Sequence, residues 1–213
     1  MEIVLNHIMP QPLSSIQHSK ESIWGNFIEL KKGKHILLNA SSGKGKSTFT
    51  NTLIGLRKDY EGTITFDGQD IKNYTPDNWT TIRQSKISVI YQDLQLFEDL
   101  TVAENLLLKN NLTNLFSEKE ILEMLEKLGI ENKWDQKCGL LSMGQQQRLA
   151  IIRALSQPFE LLIMDEPFSH LDEENSQKCL TLIHKRCDEQ NAGFVLTTLG
   201  DSHNTHFDKE LKL

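Results

Sequence analysis

The stretch Ala40-Ser41-Ser42-Gly43-Lys44-Gly45-Lys46-Ser47-Thr48 carries the most recognisable chemistry in this chain. It follows the apolar run Ile36-Leu37-Leu38 and ends in Gly-Lys-Ser, where a helix should begin. Glycines let successive backbone N–H groups wrap around an anion, and a helix N-terminus adds positive potential. The stretch therefore predicts a phosphate-binding loop: Lys46 reaches the β- and γ-phosphates of a nucleotide, and the Ser47 hydroxyl binds Mg²⁺. Ala40 stands where the motif has its first glycine. Alanine fits there if φ is negative, and Gly43 and Gly45 remain for close approach. A small-residue turn carrying a surface lysine is the plainer alternative.

A second cue is Leu161-Leu162-Ile163-Met164-Asp165-Glu166, an apolar run ending in two carboxylates. In a phosphate-loop protein the first acid belongs beside Mg²⁺, and the second can orient or deprotonate the attacking water. The alternative is an Asp-Glu cap on the next segment. A third is Leu141-Ser142-Met143-Gly144-Gln145-Gln146-Gln147-Arg148, running into Leu149 to Leu155. Ser142 is a good N-cap, and the small Gly144 bares the N–H groups of a helix start, a second place for an anion. Alone, that segment reads equally as an ordinary capped helix. Cys179, His184 and Cys187 are poorly spaced for a metal and read as helix packing.

These residues need strands and helices to hold them. Met1 to Leu5 reads as a short strand broken by Pro10 and Pro12, and Ile23 to Leu30 alternates as a half-buried strand. Ile36 to Leu38 is a buried strand, and Thr48 to Leu56 the helix behind the loop, closing near Gly55. Gly62 to Gly68 predicts a strand and an Asp-Gly hairpin turn. Ile87 to Tyr91 is another short strand. From Leu94 to about Pro158 the period becomes helical, with capping boxes at Thr101/Glu104 and Ser117/Glu120 and a stop at Gly129. Strand Leu161 to Met164 is followed by a helix from Glu173 to Gln190, stopped near Gly193. Phe194 to Thr197 reads as the next strand, and Glu210 to Leu213 as the last. Chemistry-bearing strands thus bracket a helical insertion in an α/β core.

At 213 residues, with 38% hydrophobic and 24% charged residues, the chain has an ordinary globular composition. A formal net charge of −6 argues against a nucleic-acid surface. No apolar run approaches the roughly 20 residues that span a bilayer, and no secretion signal opens the chain. Three cysteines suit a reducing compartment. A cytosolic protein without direct membrane insertion is expected.

In order, the loop, the Ser142 segment and the acid-terminated strand resemble the ATP-binding subunit of an ABC transporter, over nearly the whole chain. Leu141 to Gln145 is similar to the family signature Leu-Ser-Gly-Gly-Gln. Gln92, after Ile87 to Tyr91, resembles the family's glutamine loop, with Leu96-Phe97, Thr101-Val102 and Glu104-Asn105 behind it. Ser169-His170-Leu171-Asp172 resembles the aspartate-bearing D-loop. The resemblance implies a P-loop NTPase core of mainly parallel sheet, with an antiparallel β subdomain and an inserted α-helical subdomain. One domain would span 1–213, with 1–92 and 159–213 as nucleotide-binding core and 93–158 as helical subdomain. Two protomers would pair head to tail, each ATP lying between residues 40–48 of one and Ser142, Gly144 and Gln145 of the other. The resemblance further implies that Ser47, Gln92 and Asp165 hold Mg²⁺, that Glu166 is catalytic, and that Asp172 couples the sites. An integral membrane permease would dock on the helical subdomain, leaving this subunit peripheral on the inner face of the cell membrane.

Three departures stand out. Met143 replaces the signature's first glycine, so its side chain has to point away from the phosphate. Leu199 occupies the place of the histidine that contacts the γ-phosphate; His203 is a substitute only if its loop bulges, and a surface histidine beside His206 is the simpler reading. No aromatic residue precedes Trp24, so the usual ring for adenine is missing. Glu166 predicts an ATPase, and the lost histidine a slow one. The rival reading is a nucleotide-gated regulatory module of a membrane complex with little turnover. The lack of a C-terminal regulatory extension suits an exporter or extraction system.

Overall fold

The computed structural model describes residues 1–39, 41, 43–199 and 205–213. The chain opens with β1 (Ile3–Pro10) and β2 (Phe27–Leu30), antiparallel from Ile3↔Leu30 to Asn6↔Phe27. β3 (His35–Asn39) and α1 (Lys46–Leu53) flank the predicted phosphate loop. β4 (Tyr60–Phe66) and β5 (Gln69–Asp70) make the hairpin expected at Asp67-Gly68, whose φ values of 48° and 82° suit a tight left-handed turn. Next come α2 (Pro76–Ser85) and β6 (Ile87–Ile90). α3 (Val102–Asn110), α4 (Glu118–Lys127) and α5 (Met143–Leu155) then precede β7 (Leu161–Asp165). α6 (Glu173–Gln190), β8 (Gly193–Thr198) and β9 (Lys209–Lys212) complete the described elements.

Four strands form an antiparallel sheet in the order β2-β1-β4-β5, and five form a parallel sheet in the order β6-β7-β8-β3-β9. β7 is buried along its whole length, and its alternate residues serve two cores. Leu161 and Ile163 pack with Ile36, Leu38 and Val195 and with Ile3, Leu5 and Ile64 of the antiparallel sheet. Leu162 and Met164 pack with Leu37, Phe194 and Leu196 and with the faces of α3 to α6. α4 contributes Ile121, Met124 and Leu125, at the spacing of one helix face. Thr101, Ser117 and Ser142 each cap their helix in a reciprocal box with Glu104, Glu120 and Gln145.

Several boundaries differ from the sequence reading. β1 does not stop at Leu5: an irregularity between Asn6 and Met9, with His7 at φ 52°, re-aims the strand, and pairing resumes through Pro10↔Tyr60. Pro10 is tolerated because pairing with β2 ends at Asn6. Ile23 and Trp24 belong to a buried turn through Gly25 (φ 78°), not to β2. α1 starts at Lys46 and ends at Leu53. α2 is absent from the sequence reading, although Thr75 and Asn78 cap it reciprocally and Pro76 opens it. α6 ends at Asn191 (φ 49°) rather than through Gly193. Gly193 is needed elsewhere, since a Cβ there would lie 2.4 Å from the Lys34 carbonyl oxygen.

Behind the parallel sheet, the His35 and His184 rings meet at 4.9 Å and both contact Phe194. Burial holds both imidazoles below the ordinary 6.5; for His35 the neighbouring His184 adds to this, while Asp208 and Asp188 oppose it. The folded protein then binds fewer protons than the unfolded chain below pH 6.5. Stability is retained above that pH and lost as pH falls toward the depressed folded values. Thermal melting is expected to drop by a few degrees between pH 7 and 5.5, and His184→Gln to flatten that slope. An identical slope in the variant would contradict the assignment.

Candidate active site

β3 delivers the chain to the phosphate loop; Ala40 and Ser42 lie outside the described residues. The Lys44 N–H donates to the Ser41 carbonyl at 3.3 Å, and Gly43 and Gly45 take φ values of 75° and 103°. A Cβ at Gly45 would sit 2.7 Å from Leu13 Cδ1 and 3.3 Å from the Trp24 ring. The Trp24 indole N–H donates to the Lys44 carbonyl at 3.3 Å, so this buried ring braces the loop and is no exposed stacking surface. The N-cap of α1 is Gly45, which has no side chain to cap the helix, and N–H groups at a helix start point outward to an anion.

The Lys46 ammonium, with the side chain only 8% exposed, lies 3.0 Å from Glu166 Oε1. The Ser47 hydroxyl donates to Asp165 Oδ2 at 2.8 Å, and the Thr197 hydroxyl donates to Asp165 Oδ1 at 2.7 Å. Glu166 turns out of β7 with φ 49°, and its N–H donates to the Thr197 carbonyl at 3.2 Å. Gln92 and Leu13 join Gly43, Gly45, Lys46, Ser47, Thr48 and Glu166 around one cleft. The parallel sheet thus brings together the loop, the acid pair and Gln92. Ser47 and Asp165 are adjacent hard oxygen donors, a donor set that fits Mg²⁺ held beside phosphates. Gln92, Ser47 and Asp165 also line a larger groove of about 920 Å³ with Phe97, Lys109 and Arg153.

Ser142, Gly144 and Gln145 do not line the cleft around Lys46. The Ser142 hydroxyl accepts from the Gln145 N–H at 3.3 Å, and Gln145 Oε1 accepts from the Ser142 N–H at 3.0 Å. Met143 presents its side chain at the surface, 49% exposed. Gly144 is required by a close approach: a Cβ there would lie 2.9 Å from the His170 carbonyl oxygen. Asp172 caps α6, accepting from the Asn175 N–H at 2.8 Å, a bond that draws its carboxyl below the ordinary range. Leu199 is 62% exposed and lines a second cleft with Glu166, Ser169 and Thr198. His203 lies outside the described residues. Cys179 and Cys187 are buried in the core, where burial pushes their thiols up to about 12 and leaves them unreactive.

Three residues that the sequence reading gave no role stand at this site. Leu13 packs under Gly45, and Thr197 holds both acid positions. Gln147, buried in α5, binds the chain around Glu166. The available signal for Gln147 was a polar residue one helical turn from Gly144, Ala150 and Ile151; Leu13 and Thr197 gave none.

Residues 27–169, more than half of the chain, match the family model described as ABC transporter. The lipoprotein-releasing system ATP-binding protein LolD of Francisella tularensis is 30% identical over 190 residues, covering 87% of this chain and 82% of that protein. LolD of Buchnera aphidicola is 32% identical over 186 residues, covering 86% and 80%. The macrolide export ATP-binding/permease protein MacB of Syntrophobacter fumaroxidans is 30% identical over 82% of this chain but only 25% of its own length. Among solved structures, the dimeric MJ0796 cassette superposes with a TM-score of 0.81 at 27% identity, covering 99% of this chain and 94% of that one. Its dimeric post-hydrolysis state with ADP and Pi gives 0.77 at 28% identity, covering 93% and 88%.

Proposed function

Because this chain belongs to the ABC transporter family and is an ATP-binding, ATP-hydrolysing subunit of that kind, we propose that it closes head to tail on a second copy and so energises a separately encoded permease. The observation that carries this reading is the split of the chemistry. Lys46, Ser47, Gln92, Asp165 and Glu166 meet around the phosphate loop, whereas the anion-ready start of α5 with Ser142, Gly144 and Gln145 lies outside that cleft. A second copy related by two-fold symmetry supplies to each site what one chain keeps apart.

In this reading residues 40–48 and Lys46 grip the phosphates, and Ser47, Asp165 and Gln92 hold Mg²⁺. The cation neutralises phosphate charge. Glu166 orients the attacking water and accepts its proton; Asp172 lies along the contact between copies. Leu199 offers the γ-phosphate no hydrogen bond, which makes turnover slow. The core is 1–92 with 159–213, and the helical subdomain 93–158. The groove that Gln92 shares with Phe97, Lys109 and Arg153 suits docking of the permease, next to a residue that touches the nucleotide site.

LolD is matched along most of its length and MacB, an ATP-binding/permease protein, along a quarter, which supports a permease on another chain. No described helix is long and apolar enough to cross a membrane. In this reading the subunit is a cytoplasmic protein, peripheral on the inner face of the membrane that holds the permease. The family comparisons favour turnover over the regulatory rival. Phosphate release from ATP by the purified protein is expected to vanish with EDTA and to return with excess Mg²⁺. Turnover indifferent to chelation would remove the cation from the mechanism.

A further inference from the structure

The first two turns of α5 and the chain after Glu166 are fastened together. Gln147, 1% exposed, donates through Nε2 to the Glu166 carbonyl at 3.4 Å and to the Ser169 hydroxyl at 3.2 Å. Its Oε1 accepts from the His170 N–H at 2.9 Å. One turn earlier Gly144 lies so close to the His170 carbonyl that an added Cβ would sit at 2.9 Å. One residue later, Arg148 donates to the Leu128 carbonyl at 2.6 Å and to Asn175 Oδ1 at 3.2 Å, and Asn175 Nδ2 donates to Asp172. α5 is therefore gripped on one side by the segment from Glu166 to Asn175 and on the other by the end of α4.

Glu166 is the residue for which this matters most. Its backbone occupies the left-handed region, which a non-glycine residue holds only when its surroundings fix it. Its N–H bonds to Thr197 from β8, its carbonyl accepts from the Ser169 N–H and from Gln147 of α5, and its carboxylate meets Lys46; of these contacts only the one from Gln147 comes from α5. A shift of α5 along its axis therefore pulls on the peptide group that orients the Glu166 carboxylate.

We propose that Gln147 is a positioning residue that couples the two ATP sites of the paired protein, an inference that rests on the head-to-tail reading above. In that pair the start of α5 touches the nucleotide bound mainly by the partner, while Glu166 serves the nucleotide bound by its own chain. Closure of α5 on one ATP is transmitted through Gln147 to the carboxylate acting on the other. Coupling of this kind needs two sites and one element that both of them bias. Gln147 and the segment it grips are that element.

The test uses Gln147→Met, which keeps the volume and removes every side-chain hydrogen bond. ATP dependence of phosphate release is compared with that of the parent protein. The parent is expected to show a Hill coefficient approaching about 2, the number of sites. In Gln147→Met it should fall toward 1, with kcat reduced about tenfold to a hundredfold by misplacement of the carboxylate. KM should change less than about twofold, because the phosphate loop is untouched. Gln147→Met combined with Glu166→Gln should still form an ATP-dependent dimer, which a merely unfolded or loosened variant would not. Parental kcat and cooperativity in Gln147→Met would overturn the proposal, as would loss of ATP binding together with a lowered melting point. A parent that pairs on ATP but hydrolyses without cooperativity would overturn the coupling and leave the pairing intact. A parent that never pairs, even as Glu166→Gln, would sink the pairing itself and the coupling with it.

Discussion

Lys46→Ala is expected to lower ATP affinity or turnover by about a hundredfold or more, the scale for removing a charge that a site directs at a phosphoryl group. The ammonium is only 8% exposed and lies in the same cleft as Gly43, Gly45 and Ser47, so no other described cation lines the position it holds. Nucleotide binding has to compete with its 3.0 Å contact to Glu166, because phosphate oxygens and that carboxylate seek the same charge. Alanine also leaves Glu166 without this partner in a half-dry place, so a shift in melting temperature should accompany the loss. Lys46→Arg keeps the charge but not the compact point donor, and should recover little. Titration with a fluorescent nucleotide, beside a phosphate-release assay, measures both quantities. A parental result for Lys46→Ala would refute the phosphate-loop assignment.

The second large effect belongs to Glu166→Gln. The substitution keeps size and an oxygen for Lys46, and it removes the ability to take a proton from water. Hydrolysis should fall by roughly 10²- to 10⁴-fold, the usual contribution of a positioned base. Nucleotide affinity should persist, so the variant is expected to accumulate as an ATP-bound dimer that survives gel filtration while the parent separates after turnover. If Glu166→Gln hydrolyses at the parental rate, another group activates the water. If it stays monomeric with saturating ATP, the composite site is wrong.

Local signals were the most readable in the sequence. The Thr101/Glu104 and Ser117/Glu120 boxes and the Asp67-Gly68 turn are written in neighbouring residues, and the structure holds all three. α2 escaped because its box uses Asn78 rather than the customary Glu or Gln. Ile23 to Leu30 looked like one strand because alternation cannot reveal that Trp24 is recruited under the phosphate loop, a contact across 20 residues of chain. At the site, residue types and order picked out Lys46, Ser47, Asp165 and Glu166. What they could not give was the partnership of Lys46 with Glu166, of Ser47 with Asp165, or of Gln147 with the Glu166 carbonyl. Those depend on how β3, β7 and α5 are stacked, and strand order leaves no trace at short range.

Thr197 touches both acids, through its hydroxyl to Asp165 and its carbonyl to the Glu166 N–H. Two reactive groups referenced to one residue feel any displacement of that residue together. A slide or tilt of β8 therefore reaches both carboxylates at once. A designer replacing the threonine by valine would cut the tether of the first acid alone, since the backbone carbonyl that holds the second stays where it is.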